Sequence, residues 1–201
     1  MSSSEKLIRQ LHLIESQLQN LDSLSQSMEG DILRKLQGIE KILAPKEQSP
    51  SEQLSFGTEE IEIFCDGSAL GNPGPGGWGA ILRQGNEERE LSGSSSQSTN
   101  NIMEMTAALE ALRQTPENAK VTLTTDSQYL VKGMTQWIAG WKRKGWKKAD
   151  GKPVLNQEIW EQLDLIASLR QINWKWVKGH AGHEENERCD QLAREAAKNQ
   201  F

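Results

Sequence analysis

The stretch Glu60-Ile-Glu-Ile-Phe-Cys-Asp66-Gly-Ser-Ala-Leu70-Gly-Asn-Pro-Gly-Pro-Gly-Gly77 decides the fold. Ile61 and Ile63 alternate with Glu60 and Glu62, the period of a half-buried strand. Asp66 follows that strand directly, and Leu70 to Gly77 is nearly pure turn chemistry. Trp78–Arg83 and Glu88–Ser92 predict two further strands of a meander. Beyond them, Asn101–Gln114 predicts a helix with Ser98–Asn100 as its cap, and Val121–Thr125 a β-branched strand. Ser127–Trp137 and Gln157–Leu169 predict helices, Ile172–Val177 a strand and Glu184–Lys198 a last helix. The order βββ-α-β-α-α-β-α implies an α/β domain, a mixed sheet with helices on its faces.

Upstream the character of the chain changes. All seven tryptophans lie between Trp78 and Trp176, and the first 57 residues hold no Tyr and a single Phe, Phe56. Residues 59–201 are therefore expected to form one domain, 44–58 a Pro- and Ser-containing flexible linker, and 1–43 a separate helical extension. In that extension Leu7, Leu11, Ile14, Leu18 and Leu21 recur at alternating spacings of four and three, the seam of a coiled coil. Ser25 interrupts the seam, Met28 and Ile32 resume it, and Leu36, Ile39 and Leu43 continue it after a stutter. Gly30 leaves open two helices folded back on each other. Ser4–Leu43 carries five basic and six acidic residues, a poor arm for nucleic acid. Homodimerisation or docking to a partner protein is the expected role, with packing on the chain's own second domain as the alternative.

Composition excludes little by itself. The chain has 201 residues, 35% of them apolar and 25% charged, with a net charge of −5, so no global basicity announces a polyanionic partner. Two cysteines, Cys65 and Cys189, form neither a disulfide framework nor a zinc spacing. With no signal-like start and no apolar run of about 18 residues, a soluble cytoplasmic protein with no membrane partner is expected.

The acidic residues carry the chemistry. Asp66 and Asp126 each follow a strand, and strand ends are where open α/β sheets bind ligands. Glu104 stands among Ile102, Met103 and Met105 in the first turn of its predicted helix, and Asp190 lies beside Cys189 and Leu192. Carboxylates in semi-buried places are costly unless neutralised, and hard divalent cations neutralise several acids at once. A pair of such ions is a device for in-line phosphodiester hydrolysis. Taken singly, each acid also reads as a turn former, a cap or a solvated helix face, and residue patterns alone do not make the four converge.

A second feature is basic. Gln136–Lys152 contains Lys142, Arg143, Lys144, Lys147, Lys148 and Lys152 against a single acid, Asp150, with Trp137, Trp141 and Trp146 interleaved. A basic stretch fixed by aromatics fits a phosphate-binding surface, although core packing also accounts for part of the tryptophan content.

Four motifs together resemble type 1 ribonuclease H of the bacterial kind. They are Glu62–Gly77, Thr99-Asn-Asn-Ile-Met-Glu104, Thr124-Thr-Asp126-Ser-Gln-Tyr129, and Trp176-Val-Lys-Gly-His180-Ala-Gly-His-Glu-Glu-Asn-Glu-Arg-Cys-Asp190. The resemblance runs in order over about residues 60–199. It implies a ribonuclease H fold, with a five-stranded mixed sheet whose first three strands are antiparallel. It implies an endoribonuclease that hydrolyses the RNA strand of RNA–DNA hybrids, with 5′-phosphate and 3′-hydroxyl products. It further implies two Mg²⁺ ions with substrate bound, Mn²⁺ being a possible substitute, held by Asp66, Glu104, Asp126 and Asp190. By match, Asp66 bridges both ions, Asp190 completes the nucleophile side, and Asp126 and Glu104 hold the other. Glu104 also reaches toward the ribose 2′-hydroxyl. His180 is matched to proton handling or product release, a task that suits an imidazole. His183 is read as structural and His12 as uninvolved.

The basic stretch is matched to a handle gripping the DNA strand. Asn72, Asn100, Asn101 and Gln128 are matched to minor-groove contacts, and Thr99 and Asn156 to a pocket for a DNA-strand phosphate. Gln97 stands where the family often has arginine, which weakens that pocket. Two other readings are a transposase, integrase or resolvase of the same superfamily and a non-catalytic hybrid binder. The Trp-rich basic stretch and the intact Gly-His-Ala-Gly-His loop argue against the first. The four intact acids argue against the second.

Overall fold

The computed structural model describes residues 60–179 and 182–199. The helical extension, the linker and His180 lie outside the described residues. Five strands form one sheet: β1 (Ile61–Ala69), β2 (Gly74–Gln84), β3 (Glu87–Ser98), β4 (Lys120–Thr125) and β5 (Gln171–Trp176). Their order is β3-β2-β1-β4-β5, with β1, β2 and β3 antiparallel and β4 and β5 running parallel to β1. Mixed pairing follows from the connections: tight turns join the first three strands, whereas helices cross over between the parallel ones.

The helices are α1 (Asn100–Arg113), α2 (Gln128–Lys132), α3 (Ile138–Arg143), α4 (Gln157–Ser168) and α5 (Glu184–Lys198). Among the described residues no helix is long and apolar enough to cross a membrane.

Three expectations need correction. The expected helix Ser127–Trp137 is split. α2 gives way to a π-helical turn, Gly133–Trp137, before α3 carries the chain on to Arg143. A Cβ on Gly133 would stand 2.0 Å from the Trp160 ring, so glycine lets this turn press onto the fully buried indole.

The glycine-rich segment is not mainly a turn. β1 runs through Asp66 to Ala69, the turn holds only the few residues around the cis Asn72–Pro73 peptide, and β2 begins at Gly74. Gly76, Gly77 and Gly79 are strand residues whose missing side chains admit helices. A Cβ at Gly77 would lie 2.2 Å from the Ala193 carbonyl oxygen, and one at Gly79 would lie 2.6 Å from that of Cys189. Both contacts are to α5, which presents the small buried residues Cys189, Ala193 and Ala197 at i, i+4 and i+8. On the opposite face, a Cβ at Gly67 would lie 2.2 Å from the Glu104 backbone nitrogen, and one at Gly76 would lie 2.8 Å from Met103 Cγ. Register agrees, since Asp66 pairs with Gly79 and Ser68 with Gly77 on the α5 face, while Ala69 pairs with Gly76 on the α1 face. The sheet is therefore clasped between α1 and α5, each seated on glycines.

The third correction is that β3 is longer than expected, because β2 offers it a partner from Gln84 back to Gly74. On the α1 face the core combines Ile61, Ile63, Leu82, Met105, Leu112, Val121, Leu123 and Leu130 with Trp160 and Leu163 of α4.

Candidate active site

β1 and β4 pair in parallel from Ile61↔Val121 to Phe64↔Thr124. Continuing that register by two residues sets Asp66 level with Asp126, just beyond the carboxyl end of β4. The two acids thus lie side by side where the parallel ladder ends, a ligand-binding position in α/β sheets. Glu104 reaches them from α1. It lies just past the first turn rather than within it, because the helix begins at Asn100. The Thr99 hydroxyl caps α1 by accepting from Ile102 N–H at 3.3 Å, and Gly67 removes the side chain that would hold the helix off β1. Asp190 arrives on α5, half-buried and one residue along from the Cys189 contact with β2.

Hydrogen bonds fix most of these carboxylates. Asp66 Oδ1 accepts from Gly67 N–H at 2.7 Å. The Ser127 hydroxyl donates to Glu104 Oε2 while accepting from Leu130 N–H at 3.2 Å, so the residue that caps α2 also orients Glu104. Asn186 Nδ2 donates to Asp126 Oδ2 at 3.3 Å. Trp176 Nε1 donates to the Asp126 carbonyl at 3.0 Å. Gly179 packs so tightly that a Cβ there would lie 2.4 Å from Asp126 Oδ2. Asp190 Oδ1 pairs with Arg194 Nε at 2.8 Å, one turn along α5.

Asp66 is the electrostatic focus. It is 7% exposed, and its carboxyl is pushed up to about 7. Burial is the largest cause, then the negative charge of Asp126; the Gly67 hydrogen bond opposes them, and Asp190 and Glu104 push further upward. Glu104 is also raised, by burial first and by Asp126, against the lowering bond from Ser127. One buried carboxyl therefore senses the other three, which is the convergence that residue patterns alone did not establish. Among the described residues no set of three or more His, Cys, Asp or Glu side chains forms a ready-made metal cage. The donor set still fits a hard divalent cation. It is all oxygen, and Mg²⁺ takes one or two carboxylates and completes its shell with water and substrate phosphate.

Of the other expected site residues, several have local bonds. Asn100 Oδ1 accepts from Ala69 N–H at 2.9 Å, and Asn72 Oδ1 accepts from Asn100 N–H at 3.4 Å, so both amides tie the β1 end to the start of α1. Asn101 is exposed in the first turn of α1. Gln128 accepts from Lys132 at 2.9 Å. Asn156 precedes α4 in the left-handed region, φ 59°, with its amide 3.5 Å from the Tyr129 hydroxyl. His183 is exposed, and its carbonyl accepts from Glu187 N–H to open α5.

In the basic segment the tryptophans are half-buried anchors. Trp141 packs 5.5 Å from Trp160 and 5.7 Å from Trp137, which meets Tyr129 at 6.1 Å. Trp146 also packs on the core, with its N–H bonded to the Trp141 carbonyl at 2.8 Å. The charges stand outside this anchor: Arg143, Lys144, Lys147 and Lys152 are exposed and Lys148 is half-buried, while Lys142 pairs with Asp164 at 2.5 Å. Two partners of Asp126 were missed in the sequence, Asn186 and Trp176. The signal for Asn186 was its place four residues before Asp190, on the same helix face.

Comparison with known proteins agrees with this geometry. The ribonuclease H family model matches residues 58–198. The chain is 53% identical over 153 residues to a ribonuclease H of Pelobacter propionicus, covering 76% of this chain and 94% of the relative. It is 57% identical over 141 residues to a ribonuclease H of Escherichia coli, covering 70% and 91%. Among solved structures it is similar to LC9-RNase H1, a type 1 enzyme with the type 2 active-site motif, at a TM-score of 0.65 and 33% identity over 74% of this chain and 76% of that one. It is also similar to LC11-RNase H1 in complex with RNA/DNA hybrid, at a TM-score of 0.52 and 26% identity over 69% and 97%. With its sheet order, its clustered acids and these relatives, the chain belongs to the ribonuclease H family, in its type 1, bacterial ribonuclease HI-like branch.

Proposed function

We propose that this chain is an endoribonuclease that hydrolyses the RNA strand of RNA–DNA hybrids. The observation that carries the reading is the placement of Asp126 level with the buried Asp66 at the end of the β1–β4 ladder, with Glu104 brought in by α1 and Asp190 by α5. Two Mg²⁺ ions, with Mn²⁺ as a substitute, would supply activation of the attacking water and stabilisation of the leaving oxygen. Asp66, at the focus of the cluster, would be the ligand common to both. Asp126 and Glu104 would serve one side and Asp190 the other, which requires Asp190 to exchange its pairing with Arg194. His180, through its match to the family's glycine-flanked loop, would take the part of proton handling or product release. Attack by water rather than by the 2′-hydroxyl leaves 5′-phosphate and 3′-hydroxyl ends. The test is a substrate panel with Mg²⁺: cleavage of hybrid but not of single- or double-stranded RNA is expected, and equal cleavage of all three would contradict it.

The basic segment would grip the DNA strand through exposed charges, with the tryptophans holding the segment to the core. Neutralising Arg143, Lys144 and Lys147 together to Gln is expected to raise KM for hybrid about tenfold or more at physiological salt while kcat stays within about twofold. It should also make the salt dependence of KM shallower by about one log unit per lost phosphate contact. An unchanged salt slope would remove the segment from substrate binding.

The extension would dimerise the chain through the Leu7–Leu43 seam, raising the effective concentration of catalytic domains on long hybrids. Sedimentation of the full chain at micromolar concentration is expected to show dimer, and monomer alone would refute this.

A further inference from the structure

Asn186 lies in the first turn of α5, only 4% exposed. Its Nδ2 donates to Asp126 Oδ2 at 3.3 Å, and its Oδ1 is buried with no hydrogen-bond partner among the described residues. Flipping the amide would set its oxygen against the Asp126 carboxylate, acceptor against acceptor, so the chemistry fixes which way it faces. The contact that the amide makes in the site runs through Nδ2 to the Asp126 carboxylate, and it leaves Oδ1 without a donor. A buried amide oxygen left in this way destabilises the fold, and an apolar residue of the same shape would avoid the cost. That points to a use in the site.

We propose that Asn186 is a positioning residue. Its N–H fixes the orientation of Asp126, and its Oδ1 accepts a hydrogen bond from a water molecule bound within the acidic cluster. Two further contacts confine the same aspartate, the Trp176 indole on its carbonyl and Gly179 against its carboxylate. Asp126 is thus held from α5, from β5 and from the segment after β5. The inference rests on reading Asp126 as a cation ligand. Groups that orient ligands in this way typically change metal affinity or activity 10- to 100-fold when removed.

The test uses the full chain and Asn186→Leu, which keeps the side-chain shape and removes both polar atoms. The thermal midpoint in chelator is expected to hold or rise. The kcat on hybrid is expected to fall 10- to 100-fold with KM within about twofold, and half-maximal cleavage should need more Mg²⁺. A variant whose kcat and Mg²⁺ dependence both stay within about twofold of the parent overturns the proposal, as does one that loses activity only because it melts early. Independently of any variant, Mg²⁺ alone added to the ¹⁵N-labelled parent should shift the Asn186 side-chain amide resonances. The shift should have the same midpoint as that of the Asp126 backbone amide. A shift at Asp126 without one at Asn186 also overturns the proposal. Failure of the parent to cut hybrid would instead count against the functional reading.

Discussion

Asp66→Asn is expected to abolish hybrid cleavage and, in the absence of divalent cations, to make the fold more stable. The two effects have one origin. Asp66 is buried among three other acids, and its carboxyl is raised from 3.8 to about 7. A folded-state value above the unfolded one means that the folded chain holds its proton longer. Below about pH 4 neither state is charged and nothing is lost. As pH rises from about 4 to about 7 the unfolded chain ionises freely while the folded chain resists, so stability falls across that window and levels off above it. The full loss is on the order of 4 kcal/mol, the rise from 3.8 to about 7 taken at 1.36 kcal/mol per pH unit. Glu104 is shifted in the same direction and adds to the trend.

Asparagine keeps the shape, and its Oδ1 still accepts from Gly67, but it carries no charge. In chelator at pH 8 the variant's melting midpoint should exceed the parent's by roughly 5–10 °C, and its stability should vary less with pH. Cleavage with Mg²⁺ should fall at least about a thousandfold, since a shared ion ligand supports several kcal/mol of transition-state stabilisation. A calorimetric scan against pH in EDTA checks the first expectation. An unchanged midpoint would mean that Asp66 is not repelled by its neighbours.

Gly77→Ala is expected to be, with Gly67→Ala, among the most damaging single methyls in the sheet. Its Cβ would lie 2.2 Å from the Ala193 carbonyl oxygen and 2.5 Å from the Ala197 nitrogen. Both are backbone atoms of a continuous helix, so no side-chain rotation relieves the contact. α5 must then lift from β2, carrying Asp190 and Asn186 with it. Overpacking a well-filled core typically costs about 1–3 kcal/mol, and a clash with rigid backbone on this scale belongs at or above the top of that range. Gly140→Ala is the matching control. Gly140 lies within α3 with nothing within 4 Å of a built Cβ, so that change should stabilise by about 0.4–1 kcal/mol. Denaturant melts of both variants decide the matter, and equal midpoints would contradict the clasped-sheet arrangement.

The two glycines also show what the sequence reveals and what it hides. Gly74–Gly77 reads as turn by composition, because a lone sequence does not distinguish glycine chosen for a turn from glycine chosen to admit a helix. The partner that requires it, α5, is more than 100 residues away. Where the signal is periodic and local, sequence and structure agree: Glu184–Lys198 is the last helix to the residue, and β4 differs from expectation only in starting at Lys120. The π-helical turn at Gly133–Trp137 is not visible in the sequence, where nothing shows that Gly133 meets the buried Trp160 indole of another helix. The tryptophans of the basic segment read as fixing a phosphate-binding surface, with core packing as a partial account, and in the structure they are half-buried, with Trp141 packed on Trp160.

The site itself was half legible. Strand ends marked Asp66 and Asp126, but only the β1–β4 register makes them neighbours. Only the placement of α1 and α5 against glycines brings Glu104 and Asp190 to join them. Asn186 stands in a run rich in glutamate, where composition gives no sign of burial, and its burial depends on that same seating of α5.

The most direct test of the central claim is cleavage of an end-labelled RNA–DNA hybrid in Mg²⁺ by the parent chain and by Asp126→Asn. The expected result is cutting of the RNA strand by the parent, with 3′-hydroxyl ends, and loss of that cutting in the variant while hybrid binding persists. Undiminished cutting by Asp126→Asn, or tight hybrid binding by the parent without any cutting, would contradict the assignment of catalysis to this acidic cluster.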